Sequence, residues 1–103
     1  MKRYQMAWHV IPQYSLISLS STDSSLIQWF LIELKRIDPK CRVNHIRNDL
    51  NENPVSLSSD DSKKGREIMN WLMQELLQRG WEPFSTGDMH GNVYIYYRKE
   101  IVE

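Results

Sequence analysis

The sequence predicts an α+β protein, a two-layer sandwich in which two helices pack on one face of a mainly antiparallel sheet of four to five strands. Residues 3–11 and 92–101 alternate in side-chain character with the two-residue period of half-buried strands. Two internal segments, residues 26–37 and 68–77, repeat apolar side chains at the three- and four-residue spacing of a helix. Because each helix carries an apolar side, both are expected to cover a sheet.

Composition fits one globular domain spanning residues 1–103. The chain has 41% hydrophobic and 25% charged residues, and its 13 basic residues balance 13 acidic ones. This balance leaves no overall field to attract nucleic acid or an anionic membrane. The longest strictly apolar run, in which tyrosine is not counted, covers residues 29–32, and residues 1–12 contain no run of signal-peptide length. With Cys41 as the single cysteine, these features predict a soluble cytoplasmic protein without membrane contact.

The N-terminal half predicts two strands and a helix. In the first strand, residues 3–11, one side carries Tyr4, Met6, Trp8 and Val10, and the other carries Arg3, Gln5 and His9. A second short strand is expected at residues 14–19. Ser25 and Gln28 match a capping box, and the residue before Pro39 avoids helical angles, so a helix should run from there to about Ile37.

The middle of the chain predicts a third strand at residues 41–47 and a short fourth strand at residues 55–57. The serines and aspartates of residues 58–62 suit the start of a second helix, because they cap it and complement its dipole. With two further strands after that helix, a split βαβ arrangement of ferredoxin-like type fits, and the last hairpin extends it.

The second helix is expected to end at Gly80. Glycine adopts the left-handed conformation that closes many helices, and the next residue then contacts the last turn. Trp81 should therefore fold back on Leu76, and Arg79 should interact favourably with the helix dipole.

The end of the chain predicts an edge hairpin. Pro83 lacks an amide donor, so the strand at residues 81–85 should lie at the edge of the sheet. Residues 86–92, TGDMHGN, read as the connection to a final strand. In that strand Val93, Ile95 and Tyr97 should face opposite to Tyr94, Tyr96 and Arg98.

At "LLQRGWEPF" and "VYIYYRK" the chain resembles a group of small bacterial domains of unknown function with a strand–helix–Gly-Trp-Glu–strand pattern. The matching residues are Gly80, Trp81, Glu82, Tyr97, Arg98 and Lys99. The resemblance covers the first strand and about the last third of the chain, whereas residues 14–62 are longer than the usual connection. It implies a strand–helix–hairpin architecture and no particular activity.

Catalytic and metal-binding motifs are not found. A structural zinc site needs four ligands, and the chain offers one cysteine and three scattered histidines. It also lacks a GxSxG elbow and a glycine-rich phosphate loop. We therefore expect no metal and no cofactor, assign no catalytic residue, and place an enzyme third among the functional interpretations.

The leading interpretation is a small non-catalytic module that binds a protein partner or a second copy of itself. Tryptophan, tyrosine, methionine and arginine are enriched at protein interfaces, and the first helix is apolar over more than one face. The candidate contact residues are Trp29, Leu31 and Ile32 on the first helix and Trp71, the best candidate for an exposed aromatic, on the second.

The alternative interpretation is single-stranded nucleic-acid binding. If the first and last strands pair, aromatic and basic side chains share a sheet face, as in modules that stack bases and neutralise phosphates. The candidate residues are Arg3, Lys40, Arg42, Arg47, Tyr94, Tyr96 and Arg98. Neighbouring acidic residues and the net neutrality of the chain weaken the electrostatic contribution that such binding needs.

Overall fold

The computed structural model describes residues 2–46, 55–59 and 63–102. It confirms the α+β class, with two helices and an antiparallel sheet in these residues. The strands are β1 (Tyr4–Val10), β2 (Ile17–Ser21), β3 (Asn44–Ile46), β4 (Val55–Ser59), β5 (Glu82–Met89) and β6 (Asn92–Glu100), and the helices are α1 (Ser24–Ile37) and α2 (Gly65–Gln78). In the described part of the chain, neither helix is long and apolar enough to cross a membrane.

The sheet contains six strands in the order β3-β4-β2-β1-β6-β5, and each neighbouring pair is antiparallel. The unit β2-α1-β3, with β4 between its two strands, is a split βαβ unit. After α2 the chain passes β2, β1 and β6 to reach the edge strand β5. The paired terminal strands β1 and β6 therefore lie inside the sheet, which is one strand wider than the upper limit expected.

Both helices cover the same face of the sheet. Ala7 lies opposite Tyr97 in the register of β1 and β6, so these two side chains share one face. Both belong to a buried cluster with Leu19 of β2, Phe30 of α1 and Leu72 of α2. On β1 this helix-covered face is the side of Ala7 and His9, whereas neither α1 nor α2 covers the side with Tyr4 and Trp8.

The start of α1 differs from the expected capping box. Asp23, rather than Ser25, is the N-cap residue, and its carboxylate accepts hydrogen bonds from the Ser25 amide at 3.1 Å and the Ser25 hydroxyl at 2.6 Å. The sequence pattern was ambiguous because aspartate and serine are both good caps and lie two residues apart. The helix ends at Ile37 as predicted, and the Asp38 amide donates to the Leu34 carbonyl at 2.8 Å.

The start of α2 depends on a close backbone approach. Lys64 is the N-cap residue and makes no side-chain capping bond. Of the predicted caps at residues 58–62, Ser58 and Ser59 lie in β4 instead, and residues 60–62 lie outside the described residues. A Cβ atom on Gly65, the first helical residue, would lie 2.5 Å from the carbonyl oxygen of Ser15. The connection between β1 and β2 therefore packs directly against the helix.

The end of α2 confirms the prediction for Gly80 and Trp81. Gly80 has a φ of 89°, and the Trp81 amide donates to the Leu76 carbonyl at 3.0 Å. The Gly80 amide donates to the Leu77 carbonyl at 3.2 Å, which completes a Schellman motif. Trp81 is 3% exposed and shares the buried cluster with Leu76.

The final hairpin has a shorter connection than predicted. Its turn contains two residues, His90 and Gly91, with φ values of 53° and 80°, as a type I′ turn requires. Gly87 lies inside β5, where its Cα faces the ring of Tyr96 so closely that an added Cβ would lie 2.9 Å from that ring. Pro83 lies on the edge strand as predicted, next to a register shift between Pro83 and Ser85.

The remaining strand predictions shift by a few residues. The second strand covers Ile17–Ser21 instead of residues 14–19, and the fourth extends from Val55 to Ser59. The described part of the predicted strand 41–47 is extended over Asn44–Ile46. In β6, Tyr97 is buried on the helix-covered face, and Tyr94, Tyr96 and Arg98 point to the opposite face, as expected from the alternation.

Candidate contact surfaces

The uncovered side of the sheet carries a group of aromatic rings. Trp8 on β1 pairs with Tyr96 on β6, and their ring centroids lie 5.9 Å apart. Tyr4 and Phe84 are 37% and 46% exposed, and the other rings are half-buried. We call this surface the aromatic face and define it by Tyr4, Trp8, Phe84, Tyr94, Tyr96 and Arg98.

Arg98 is the central cation of the aromatic face. Its guanidinium carbon lies 4.9 Å from the ring centroid of Tyr4 and 5.6 Å from that of Phe84. Its Nε atom donates to Glu82 Oε2 at 3.3 Å. Both charged side chains are well exposed, so the pair contributes about 0–1 kcal/mol to stability. The pair nevertheless leaves this part of the face electrically balanced.

The aromatic face is well packed at one end. Val10, which lies opposite Tyr94 in the register of β1 and β6, is 2% exposed and belongs to the buried core cluster, against which Tyr94 packs. Tyr96 lies against Gly87 of β5, a position that would not admit a larger side chain without moving the ring. The face is therefore a preformed surface rather than a set of independent exposed rings.

The basic residues of the nucleic-acid interpretation do not all join this face. Lys40 and Arg42 are exposed in the connection between α1 and β3, near the opposite edge of the sheet. Strand β3 is four positions from β6, a distance of about 19 Å at the usual strand spacing. Arg3 is exposed beside the end of β6, where its carbonyl accepts from the Ile101 amide, and Arg47 lies outside the described residues.

The helix layer brings Trp29 and Trp71 together. Their rings stack with centroids 5.4 Å apart, and the guanidinium of Arg79 lies 3.9 Å above the Trp29 ring. Trp71 is half-buried instead of fully exposed, because it also stacks near Phe30, with centroids 6.4 Å apart.

The other two candidates on α1 differ in their exposure. Leu31 is half-buried and packs against the core. Ile32 is 66% exposed. Ile32 is therefore the residue of this group that presents the most apolar surface to a partner.

His9 and Tyr97 form a buried polar pair that the sequence did not indicate as a pair. The His9 Nδ1 atom lies 2.7 Å from the Val10 carbonyl, and its Nε2 atom lies 2.8 Å from the Tyr97 hydroxyl. A carbonyl accepts only, so Nδ1 carries the proton and Nε2 accepts from the hydroxyl. Burial lowers the pKa of His9 below 6.5, against a smaller opposing effect of the bond to Val10, and burial raises the pKa of Tyr97 to about 12.

This pair has the perturbed pKa values that are common at catalytic sites, but it has no access to substrate. His9 is 0% exposed and Tyr97 is 2% exposed, and both lie within the core. The structure therefore supports a role for the pair in holding β1 against β6 beneath the helices.

Residues suited to metal binding are dispersed in the described ranges. No group of three or more histidine, cysteine, aspartate or glutamate side chains converges there. Cys41 is a buried free thiol whose Sγ atom lies 3.2 Å from the Ser59 hydroxyl. Asp88 and His90 are exposed at the tip of the β5–β6 hairpin.

Comparison of the chain with protein-family models, with curated proteins and with solved structures found no match. The resemblance to small bacterial domains therefore depends only on the short sequence patterns that carry it. Two of those residues, Gly80 and Trp81, close α2.

Proposed function

We propose that this chain is a non-catalytic module that binds a protein through the aromatic face, and that its partner is a second copy of the same chain. The observation that carries this proposal is the side of the sheet that neither α1 nor α2 covers, where five aromatic rings and Arg98 lie together. Aromatic residues and arginine supply most of the binding energy at protein interfaces.

The charge of the aromatic face favours a protein over a polyanion. Arg98 already contacts Glu82, and Lys40 and Arg42 precede β3, the strand at the opposite edge of the sheet. A surface that neutralises phosphates needs several accessible cations. An aromatic and electrically balanced surface suits contact with an apolar protein surface instead.

A second copy of the chain provides such an apolar partner surface, because each copy presents the same aromatic and electrically balanced face. In a twofold arrangement one patch packs against itself, and the charges of one copy meet those of the other. Arg98 of one copy can then approach Glu82 of its partner. The chain has a formal net charge of zero, so two copies do not repel each other.

Single-stranded nucleic acid remains the second proposed partner. Trp8, Tyr94 and Tyr96 share one sheet face with Arg98, and bases stack on such rings. Retention on heparin or on a random oligonucleotide that decreases with salt would support it. A chain that elutes without retention at low salt would contradict it.

The cellular setting forms part of the same proposal. A cytoplasmic location is supported by Cys41, a free thiol in the structure, because reducing compartments preserve free thiols. A bacterial origin is supported by the resemblance carried by the Gly-Trp-Glu segment.

Sedimentation equilibrium over a range of protein concentrations tests the proposed association. We expect a monomer–dimer equilibrium that Phe84→Glu and Tyr94→Lys each weaken by about tenfold or more, because an unpaired charge buried in an apolar interface costs well over 1.4 kcal/mol. Ile32→Glu is the matched control, since it places a charge on the exposed surface of α1.

Three results would decide between the surfaces. Weakening by Phe84→Glu and Tyr94→Lys alone supports the aromatic face. Weakening by Ile32→Glu alone would assign the contact to the Trp29, Trp71, Leu31 and Ile32 region of the helix layer. A monomeric wild-type chain at every concentration would contradict self-association.

A further inference from the structure

A polar cavity of about 290 Å³ opens between the start of α1, the end of α2 and the end of β6. Two cationic side chains, two indole rings and two polar side chains contribute to its wall. These are Arg79, Lys99, Trp29, Trp81, Asp23 and Ser25. The cavity lies on the helix-covered side of the sheet and is separate from the aromatic face.

Each cation of this cavity is positioned over an indole ring. The Arg79 guanidinium lies 3.9 Å from the centroid of Trp29, and the Lys99 ammonium lies 5.9 Å from that of Trp81. A guanidinium stacked on a ring keeps its N–H edge available for hydrogen bonds. The side chain of Lys99 also passes Gly80, where an added Cβ would lie 3.9 Å from Lys99 Cε.

These positions follow from how α2 ends. Arg79 is the C-cap residue, and the left-handed Gly80 turns the chain so that Trp81 enters the core. Lys99 alternates with Arg98 on β6 and therefore points to the helix-covered side. The end of α2 therefore positions Arg79 itself and, through Gly80, the Trp81 ring over which the Lys99 ammonium lies.

The side-chain N–H donors of Arg79 and Lys99 are available to a ligand. Arg79 Nε lies 3.7 Å from Glu75 Oε2, which is longer than a hydrogen bond. Within residues 2–46, 55–59 and 63–102, neither the Arg79 nor the Lys99 side chain donates a hydrogen bond to another residue. Water or a ligand must accept from these donors.

Asp23 limits the charge of a suitable ligand. Its carboxylate is held at the cavity wall by the amide and hydroxyl of Ser25. Arg79 also lies 3.7 Å from the Glu75 carboxylate, so Asp23 and Glu75 together offset the charges of Arg79 and Lys99, and the site suits a ligand with no more than one negative charge. A second negative charge on the ligand would face Asp23 without compensation.

We propose that this cavity binds a small carboxylate, with Arg79 and Lys99 donating to its oxygens and Asp23 excluding divalent anions such as phosphate. Arginine presents two parallel N–H donors that match the two oxygens of a carboxylate. The ligand is either a free small acid or the side chain of a glutamate or aspartate on another protein.

Indole ¹H–¹⁵N signals provide the test, because the four tryptophans report on separate places in the fold. Sodium acetate is titrated at constant ionic strength against sodium chloride. We expect saturable shifts of the Trp29 and Trp81 signals with acetate and no shift of the Trp8 signal. Shifts that stay linear throughout, or that chloride reproduces, would overturn the proposal.

Variants separate recognition from general charge effects. Arg79→Gln and Lys99→Gln should each weaken acetate binding by about tenfold or more, as expected for the loss of hydrogen bonds to a charged group. Arg36→Gln makes the same change in net charge on the exposed side of α1, where Arg36 pairs with Glu33, and should bind acetate like the wild type. Equal losses in all three variants would overturn the proposal.

Asp23→Asn tests the charge limit without removing the helix cap, because asparagine caps as well as aspartate. Inorganic phosphate should bind the wild type more weakly than acetate and should bind Asp23→Asn at least about tenfold more tightly than it binds the wild type. Unchanged phosphate binding would contradict the role given to Asp23.

Two model compounds distinguish the sources of the carboxylate. N-acetylglutamate α-amide carries the side-chain carboxylate, and N-acetylglutamine amide is its neutral control. Tighter binding of the first compound than of acetate would assign the site to a protein side chain, and weaker binding would assign it to a free acid. Equal shifts with the neutral compound would overturn carboxylate recognition.

Discussion

His9 is completely buried in a neutral form, and this protonation state links the stability of the fold to pH. Its pKa is lowered from 6.5 by burial, so the unfolded chain binds a proton there at a higher pH than the folded chain does. The contribution of His9 is fully present above pH 6.5. It is lost as the pH falls from 6.5 towards the lowered pKa.

We therefore expect the free energy of unfolding to decrease below pH 6.5, with His9 contributing up to about 1.4 kcal/mol per pH unit. Urea unfolding between pH 7.5 and 4.5 measures this slope. His9→Gln should reduce the slope, whereas His90→Gln, in the exposed turn, should retain it. The same slope in His9→Gln and the wild type would show that protonation of His9 does not lower the free energy of unfolding.

The residues that sequence predicted well are those whose conformation depends on near neighbours. Gly80 and Trp81 complete a motif with Leu76, four and five residues earlier, so the pattern was legible in a short segment. Gly87 is different, because the need for glycine at this position comes from the ring of Tyr96 on the neighbouring strand. His9 likewise acquires its partner, Tyr97, through a strand pairing of the two chain ends.

Among the elements, α2 is constrained at both ends by glycine. Gly65 allows the backbone of Ser15 to approach the first turn, and a Cβ atom there would lie 2.5 Å from the Ser15 carbonyl oxygen. Helix propensity alone favours alanine over glycine by about 1 kcal/mol. The steric contact opposes that gain.

We expect Gly65→Ala to destabilise the protein by about 1–3 kcal/mol, as overpacked substitutions do. Asn70→Ala is the control at an exposed position of the same helix, and its better propensity should stabilise the protein by about 0.5 kcal/mol. Chemical denaturation of both variants measures the difference. A stabilising Gly65→Ala would show that the connection between β1 and β2 moves away without cost.

The elements also show where periodicity gives incomplete information. The alternation in β1 was correctly predicted, but the more apolar side, with Tyr4 and Trp8, is the side that neither α1 nor α2 covers. The helices instead cover Ala7, whose small side chain allows close packing, and His9, whose polar atoms are satisfied by Val10 and Tyr97. Periodicity identifies two sides of a strand, and packing decides which of them enters the core.

For the whole molecule, strand order was the property that sequence could not supply. The nucleic-acid interpretation was conditional on pairing of the terminal strands, which β1 and β6 do form, but the sheet order also separates β3 from β6 by three intervening strands. Lys40 and Arg42 consequently lie far from Tyr94 and Tyr96, although all four belonged to one candidate surface. Long-range pairings of this kind are set by the packing of the entire core rather than by any local segment.

The salt dependence of self-association follows from the distance between the basic residues Lys40 and Arg42 and the aromatic face. If the aromatic face joins two copies, association depends mainly on apolar burial and changes little as salt screens the surface charges. We expect the dimer dissociation constant to change by less than about threefold between 50 and 500 mM sodium chloride. A decrease in affinity of tenfold or more would contradict an interface dominated by aromatic packing.

The central claim is that the aromatic face of one copy packs on the aromatic face of another. An isotope-filtered NOE experiment on an equal mixture of labelled and unlabelled chains tests it most directly, because it detects proton contacts between copies alone. We predict intermolecular contacts from the rings of Trp8, Phe84, Tyr94 and Tyr96. Intermolecular contacts that arise from Ile32 and Trp29, with none from the aromatic face, would contradict the claim.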